Sequence, residues 1–347
     1  MKKELLMASA LVSTLGAASV AEAVTATTSG SLKLGQEFDS PDSGTDTNSN
    51  ISNTNFSVSL SETTDGGTTI SSSFMLTNES SGAPDDDNAI KLTFSDGSAL
   101  ELLNAGNASG THAVSVPGAA GEQGVAGTTT ANAPTGLAFG AASTALGVEW
   151  HSASDFLMDG LKVSASFSTD DGAANTATAN VDSSWGIGAT YVTTAGDSTV
   201  TIGGGVADSE SGKTGTEITS ERNGMHVGVS AVTGDLTVAV GFADGSKAGV
   251  SDNGSDEYTA EVVKAGVKYV TGDLTFNVGI ASGDADDHAL GGSDGADDAQ
   301  DVTSASVSYA VAAGVTAILG YTSTDSSDEG LATDDGSAWY IGANMSF

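Results

Sequence analysis

The chain contains no cysteine, which excludes disulfide bonds, thiolate metal sites and cysteine nucleophiles. Proline is scarce, with 4 residues in 347, and aromatic residues make up only 5% of the chain. Positive charge is scarce too, because 10 Lys and Arg face 45 Asp and Glu, for a net charge of −35. Such a chain repels nucleic acid and attracts cations, so we exclude a nucleic-acid-binding protein.

The chain also lacks a long hydrophobic run. Residues 5–20 form an apolar stretch interrupted by Ser, Thr and Gly, which is shorter than the roughly 20 residues of a spanning helix. A basic start precedes this stretch and an A-x-A site follows at 21–23. These features predict a secretory signal peptide over 1–23 and a single mature domain over 24–347. Any membrane-spanning role must then use strands.

What the chain does contain is a repeated strand–turn–strand unit. In V-G-V-S-A-V-T-G-D-L-T-V-A-V-G-F (227–242), apolar and polar residues alternate on both sides of a Gly-Asp turn. Gly and Asp tolerate the positive φ that a tight hairpin requires. Similar units occupy 154–167, 187–202, 265–280 and 308–321. Their regular spacing predicts an antiparallel meander.

Acidic segments without periodicity separate these hairpins, and we predict them to be long loops. They are residues 169–182, 207–223, 244–257, 283–300 and 323–337. Short turns that alternate with long polar loops are typical of a transmembrane β-barrel. Six further strands are predicted near 28–37, 51–62, 68–78, 89–96, 99–104 and 145–156. With ten more after residue 161, they predict an all-β fold, a closed 16-stranded antiparallel barrel.

The last ten residues, A-W-Y-I-G-A-N-M-S-F (338–347), carry no charged side chain. A period of two places Trp339, Ile341 and Phe347 on one apolar face, which we expect to contact lipid. Pairing of this strand with the first one, 29–38, would leave no strand edge unsatisfied in the membrane.

One connection is unusually long, small and nearly uncharged: residues 105–144, the third long loop. Together with the signal peptide, the sixteen strands, the stretch 91–110 and the terminal aromatic residue, it makes the chain resemble the general bacterial porins, most closely the alphaproteobacterial type. The resemblance implies a homotrimer in the outer membrane, with the third loop folded into the barrel as a constriction. It also implies that Phe347 is recognised by the barrel-assembly machinery.

In that family, carboxylates on the third loop face basic residues on the barrel wall. The charged or titratable residues that the loop offers here are His112 and Glu122, and Arg222 is the one arginine of the chain. The resemblance therefore assigns His112 and Glu122 to the constriction.

Apolar neighbours indicate which charged residues face the barrel interior, since Leu32 and Leu34 on the lipid side place Lys33 inside. The same alternation predicts a set of pore-lining residues: Lys33, Glu37, Lys91, Glu101, Glu149, His151, Lys162, His226, Lys264 and Lys268. Two interpretations stay open for each of them. The side chain either tunes conductance and selectivity or only avoids lipid, where a midplane Lys costs about 2–4 kcal/mol.

The acidic loops favour an alternative, because clustered Asp and Gly are typical of Ca²⁺ sites. In 325–336, however, Gly336 occupies the place that needs a bidentate Glu. The alternative protein is a secreted or surface-attached calcium-binding β-protein, an adhesin or layer protein. The one match to G-x-S-x-G, residues 291–295, lies in an acidic segment that we predict to be a loop and is no nucleophile elbow, and H-E-x-x-H does not occur. We therefore expect no enzyme and no cofactor besides this possible Ca²⁺.

The sequence thus predicts an outer-membrane porin for passive diffusion of small hydrophilic solutes and ions. We expect cation preference, because the loops at the mouth of the barrel carry most of the acidic residues.

Overall fold

The structure is a computed structural model that describes ten stretches of the chain. They are residues 24–42, 44–77, 90–102, 108–118, 146–169, 180–212, 220–251, 254–287, 297–327 and 335–347. The predicted signal peptide, residues 1–23, lies outside them and stays a prediction. Within the ten stretches, no helix is both long enough and apolar enough to cross a membrane.

The described residues form sixteen strands and one short helix. The strands are β1 (Thr25–Pro41), β2 (Thr47–Thr63), β3 (Thr69–Thr77), β4 (Ile90–Thr93), β5 (Ala99–Leu102), β6 (Leu146–His151), β7 (Leu161–Thr169), β8 (Asn180–Ala195), β9 (Ser198–Gly212), β10 (Ser220–Thr233), β11 (Leu236–Ser251), β12 (Gly254–Thr271), β13 (Leu274–Asp287), β14 (Asp297–Ala312), β15 (Val315–Ser327) and β16 (Gly336–Ser346). The helix, α1 (Ala108–Thr111), lies in the connection between β5 and β6.

The sheet is closed into a barrel. Each strand pairs with its neighbours in sequence, and β1 also pairs antiparallel with β16. In that seam Leu32 lies opposite Met345, and Gly30 and Phe347 exchange backbone hydrogen bonds of 3.2 and 3.1 Å. The described strands therefore leave no open edge. This arrangement confirms the predicted 16-stranded antiparallel barrel and the pairing of the last strand with the first.

The predicted glycine turns are present at one end of the barrel. Four two-residue hairpins turn on a glycine in the left-handed region, with φ between 56° and 74°: Gly196, Gly234, Gly272 and Gly314. Glycine adopts these angles without steric cost. At the same end, the β4–β5 turn is held by the Ser98 side chain and amide, whose hydrogen bonds to Asp96 lower the pKa of that carboxyl.

The hairpin predicted over 154–167 is partly wrong. Residues 152–160 form a longer turn between β6 and β7 instead of extending a strand. Within this turn Asp155 and Leu157 have φ values of 64° and 65°, which are incompatible with a strand. The Gly160 amide donates to the Asp155 carboxylate at 2.6 Å, so local hydrogen bonds replace those of a ladder.

The predicted long loops are also wrong in length. β11 and β12 remain paired until Ser251 and Gly254, so only residues 252–253 separate them where we predicted a loop over 244–257. The remaining predicted loops are shortened in the same way by strand ends that extend into them. Beyond the lipid, backbone hydrogen bonds alone can hold two strands together, and no apolar outer face is required. These strand ends therefore lack alternating apolar residues. Hydrophobic periodicity therefore cannot detect them.

Large apolar side chains cover the outer face of the barrel. In β11, Leu236, Val238 and Val240 are 40–50% exposed, whereas Ala239 on the opposite face is 1% exposed. Toward the end away from the short turns, this outer face continues into aspartates on five strands: Asp208, Asp244, Asp284, Asp301 and Asp325. The apolar side chains thus form a band that is bounded by acid on that side, as a lipid-facing barrel requires.

A small cluster of larger apolar residues lies on the inner face of the barrel at the seam. Tyr340 is fully buried there, and its ring covers Gly35 and Gly342, where any Cβ would overlap it. Its hydroxyl donates to the Leu34 carbonyl oxygen at 3.3 Å. Trp339 and Ile341 are 50% and 56% exposed on the other face, as the period of two predicted.

The assignment of the outer face predicts a position-dependent cost for a charge. Val240→Lys should lower the free energy of unfolding by about 2–4 kcal/mol, because the ammonium group must enter lipid. Ser230→Lys on the neighbouring strand is the matched control, since Ser230 lies opposite Ala239 on the inner face and should lose far less. Urea titration of the protein in lipid vesicles measures both, and equal losses would contradict the assignment.

Candidate functional site

Residues 108–118 lie inside the barrel, against its inner wall. α1 contacts β7, β8 and β9, and residues 112–118 cross the wall from β9 to β13. Ala108, Ser109 and His112 are 0–5% exposed. This stretch belongs to the third long connection, so that part of the connection occupies the barrel interior. Predicted constriction residue Glu122 lies outside the described residues.

A row of glycines on the inner wall makes room for this stretch. The row runs over six neighbouring strands: Gly188, Gly203, Gly205, Gly228, Gly241, Gly266 and Gly279. A Cβ on Gly228 would lie 2.7 Å from Val114 Cβ, and one on Gly266 would overlap the Pro117 carbonyl oxygen. Any larger residue at these two positions would displace residues 112–118. We define the seven glycines as the glycine row.

Polar side chains of the wall bind the backbone and hydroxyls of α1. Ser166 Oγ accepts a hydrogen bond from the Ala108 amide at 3.0 Å, which satisfies one of the free N–H groups at the helix start. On the other side, His226 Nε2 lies 2.8 Å from the Ser109 carbonyl oxygen. Predicted pore-lining residue His226 therefore faces the interior and holds the helix.

His112 binds the wall through both ring nitrogens. Its Nδ1 lies 2.7 Å from Thr190 Oγ1 and its Nε2 lies 2.8 Å from Ser164 Oγ. Burial, followed by the positive charge of neighbouring groups, lowers the pKa of His112. A neutral imidazole suits this place, because it can donate to one hydroxyl and accept from the other.

Four of the predicted pore-lining residues form one cluster on β4, β5 and β6. Lys91 Nζ lies 2.6 Å from Glu101 Oε1, and His151 Nε2 lies 3.5 Å from the same oxygen and 3.7 Å from Glu149 Oε1. Glu149 is 1% exposed and accepts a 3.0 Å hydrogen bond from Thr111 of α1. We define Lys91, Glu101, Glu149 and His151 as the wall cluster.

The remaining predicted residues lie elsewhere on the wall. Lys268 on β12 lines a cavity of about 340 Å³ between residues 112–117 and the strands β8–β12. Its other lining groups include four hydroxyls: Thr190, Thr201, Ser230 and Thr237. Lys264 precedes Lys268 on the same face, opposite Gly241. Lys162 lies opposite Thr190, and Lys33 and Glu37 lie on β1, with Glu37 5% exposed.

The two lysines of β12 lie far from the carboxylates of the wall cluster. Five strands on one side and eight on the other separate β12 from β5 and β6. A solute that passes residues 108–118 therefore meets two lysines on one wall and two carboxylates with one lysine on the other. This arrangement can orient ions by their charge, whereas Glu149, Thr190 and His226 are engaged in holding the loop.

Sequence reasoning missed the role of the glycines. Two of them, Gly203 and Gly205, lie directly beneath His112 and Ser109. One available signal was the recurrence of a glycine at a similar place in successive strands. Glycine in a strand often marks a place where another backbone approaches closely. The recurring glycines could therefore have shown where the third loop contacts the wall.

The glycine row predicts that a single methyl group disturbs the loop. Gly266→Ala should raise the hydrogen exchange rates of residues 112–118, because the new Cβ overlaps the Pro117 carbonyl oxygen. Gly110→Ala in α1 is the matched control, since a Cβ there meets nothing within 4 Å. Exchange read by mass spectrometry tests the pair, and unchanged rates in Gly266→Ala would show that the row does not seat the loop.

Solved outer-membrane proteins share this fold across almost the whole chain. An anion-selective porin from Comamonas acidovorans matches with a TM-score of 0.66 and 12% identity, over 93% of this chain and 100% of that chain. OmpF of Salmonella typhi, in complex with daunomycin, gives 0.65 and 11%, over 93% and 98%. The trimer form of OmpT from Vibrio cholerae gives 0.64 and 14%, over 93% and 99%.

The family follows from the sequence match. No curated protein sequence matches the chain. The family model that describes Gram-negative porins does, over residues 8–330. That match covers most of the chain and agrees with the closed 16-stranded barrel. The protein therefore belongs to the Gram-negative porin family and forms a channel for solute diffusion in the outer membrane.

Proposed function

We propose that this porin passes small hydrophilic solutes and inorganic ions by passive diffusion, with a preference for cations. The observation that carries the proposal is the polar interior narrowed by residues 108–118, which are seated on the glycine row. Such a passage offers solutes hydrogen-bonding walls and charges but no covalent chemistry. We accordingly expect no enzymatic activity from this chain.

The cation preference rests on where the negative charge lies. The described inner-wall residues that we predicted include five lysines against three glutamates, so the wall itself is not acidic. The chain as a whole has a net charge of −35, and most of its acid lies in the strand ends and connections away from the short turns. A strongly negative mouth concentrates cations before they reach the constriction, over a range of about 8 Å at physiological salt.

We also propose that the protein assembles into a homotrimer. One similar structure, OmpT of Vibrio cholerae, was solved in a trimer form. Phe347 is 79% exposed beyond the end of β16 and exchanges backbone hydrogen bonds with Gly30. An accessible aromatic terminus is what recognition by the barrel-assembly machinery would require, and truncation at this residue would also weaken the seam.

Calcium binding in the acidic connections stays a prediction. The segment 325–336 that motivated it lies largely outside the described residues. The adhesin or layer protein that we considered as an alternative would bury the stripe Leu236, Val238 and Val240 in a core. These side chains instead lie on the outside of a closed barrel, and the family match makes the protein a porin.

The experiment is conductance in a planar bilayer, with the detergent-purified mature protein and a salt gradient. We expect stepwise insertion in groups of three and a reversal potential toward the cation equilibrium potential, which falls toward zero at high salt because screening weakens the field of the mouth. Lys268→Gln should shift the potential further toward cations. Anion preference at low salt would refute the selectivity, whereas folded trimers that never conduct would refute the channel.

A further inference from the structure

The wall cluster contains three potential metal ligands that meet at one point. Glu101, Glu149 and His151 offer ligand atoms that lie within 4.8 Å of one another. The His151 Nε2 separations of 3.5 and 3.7 Å from the two carboxylate oxygens exceed the usual length of a hydrogen bond. This Nε2 atom is buried and has no hydrogen-bond partner among the described residues. A buried ring nitrogen thus lies between two carboxylates at distances longer than a hydrogen bond.

The spacing fits a metal ion better than it fits a direct contact. Tetrahedral Zn²⁺ with N and O ligands at about 2.0–2.2 Å separates those ligands by roughly 3.3–3.6 Å. Of the two separations from His151 Nε2, 3.5 Å lies within this range and 3.7 Å lies just beyond it. Small rotations of the glutamate side chains would complete the site and leave a fourth position for water.

Each ligand is already oriented by a second contact. Ser164 Oγ lies 2.8 Å from His151 Nδ1 and thereby directs Nε2 toward the carboxylates. Thr111 donates to Glu149 at 3.0 Å, and Lys91 binds Glu101 at 2.6 Å. Outer contacts of this kind fix ring orientation and ligand geometry in metal sites.

The charges favour a divalent cation with affinity for nitrogen. Two carboxylates and Lys91 sum to −1 when the imidazole is neutral, so a divalent ion leaves the cluster with a charge of +1. Histidine is a ligand for Zn²⁺ and related transition metals, whereas Ca²⁺ and Mg²⁺ prefer oxygen alone. The alternative is an ion pair, in which a protonated His151 lies between the two carboxylates. The test must distinguish this ion pair from a metal site.

We propose that Glu101, Glu149 and His151 bind a divalent transition-metal ion, with Zn²⁺ as the probe, on the inner wall of the barrel. The site adjoins the loop, because Glu149 also contacts Thr111 and Ser164 also contacts His112. Metal binding therefore acts on two of the residues whose contacts hold residues 108–118.

The test is calorimetric titration of the detergent-purified mature protein with Zn²⁺, in excess Ca²⁺ so that oxygen-only sites are filled. We expect one Zn²⁺ per protomer. His151→Gln and Glu149→Gln should each weaken binding at least tenfold, and Ser164→Ala should weaken it about 10–100-fold through the lost orientation of the ring. Glu261→Gln, the same charge change on an exposed residue of β12, is the control and should bind as the wild type does.

The outcomes separate the site from its alternatives. Equal Zn²⁺ binding in the wild type and His151→Gln would mean adventitious binding to acidic residues and would overturn the proposal. If the folded wild type binds no stoichiometric Zn²⁺, the wall cluster is an ion pair only, and the proposal is wrong. Heat-modifiable gel mobility verifies that each variant is folded. Because binding is measured in detergent, its result is independent of whether the protein conducts.

Discussion

The structure depends on the requirement that every backbone N–H and C=O group within lipid be hydrogen-bonded by the protein itself. Sixteen strands meet this requirement only because β16 returns to β1, with Gly30 and Phe347 completing the seam. Closure fixes the alternation of faces all around the barrel. The alternation in the sequence then places valines and leucines outward, and the predicted pore-lining lysines, glutamates and histidines inward.

A closed barrel of this size has a wide interior, and the glycine row determines how that interior is filled. Glycines on neighbouring strands carry no side chain, so the backbone of residues 112–118 can lie directly against the strand backbones. Polar contacts then fix the position: Thr111 to Glu149, His112 to Ser164 and Thr190, and His226 to Ser109. The residues predicted to line the pore therefore do not all have the same role, since Glu149 and His226 hold the loop that narrows it.

The barrel could be predicted from the sequence because lipid imposes a period of two that is visible in stripes such as Leu236–Phe242. The closure was predictable from the uncharged last strand. Loop lengths were not, because the strand ends beyond the lipid pair through their backbones and carry no hydrophobic alternation. The length of the turn at 152–160 was missed because its two non-glycine residues with positive φ carry no sequence signal of the Gly-Asp kind. The wall cluster was predicted only as separate inward-facing residues, since the register that joins β4, β5 and β6 is a tertiary property.

Residues 108–118 lie on the inner wall, and the absence of cysteine from the chain allows a direct test of this placement by cross-linking. A Cβ on Gly241 would lie 3.4 Å from Val116 Cγ2, close to the geometry of a disulfide. The double variant Val116→Cys with Gly241→Cys should therefore form an intramolecular disulfide in the folded barrel under mild oxidation, detected by mass spectrometry of the digested protein. Free thiols at both positions in a correctly folded barrel after oxidation would place the loop elsewhere.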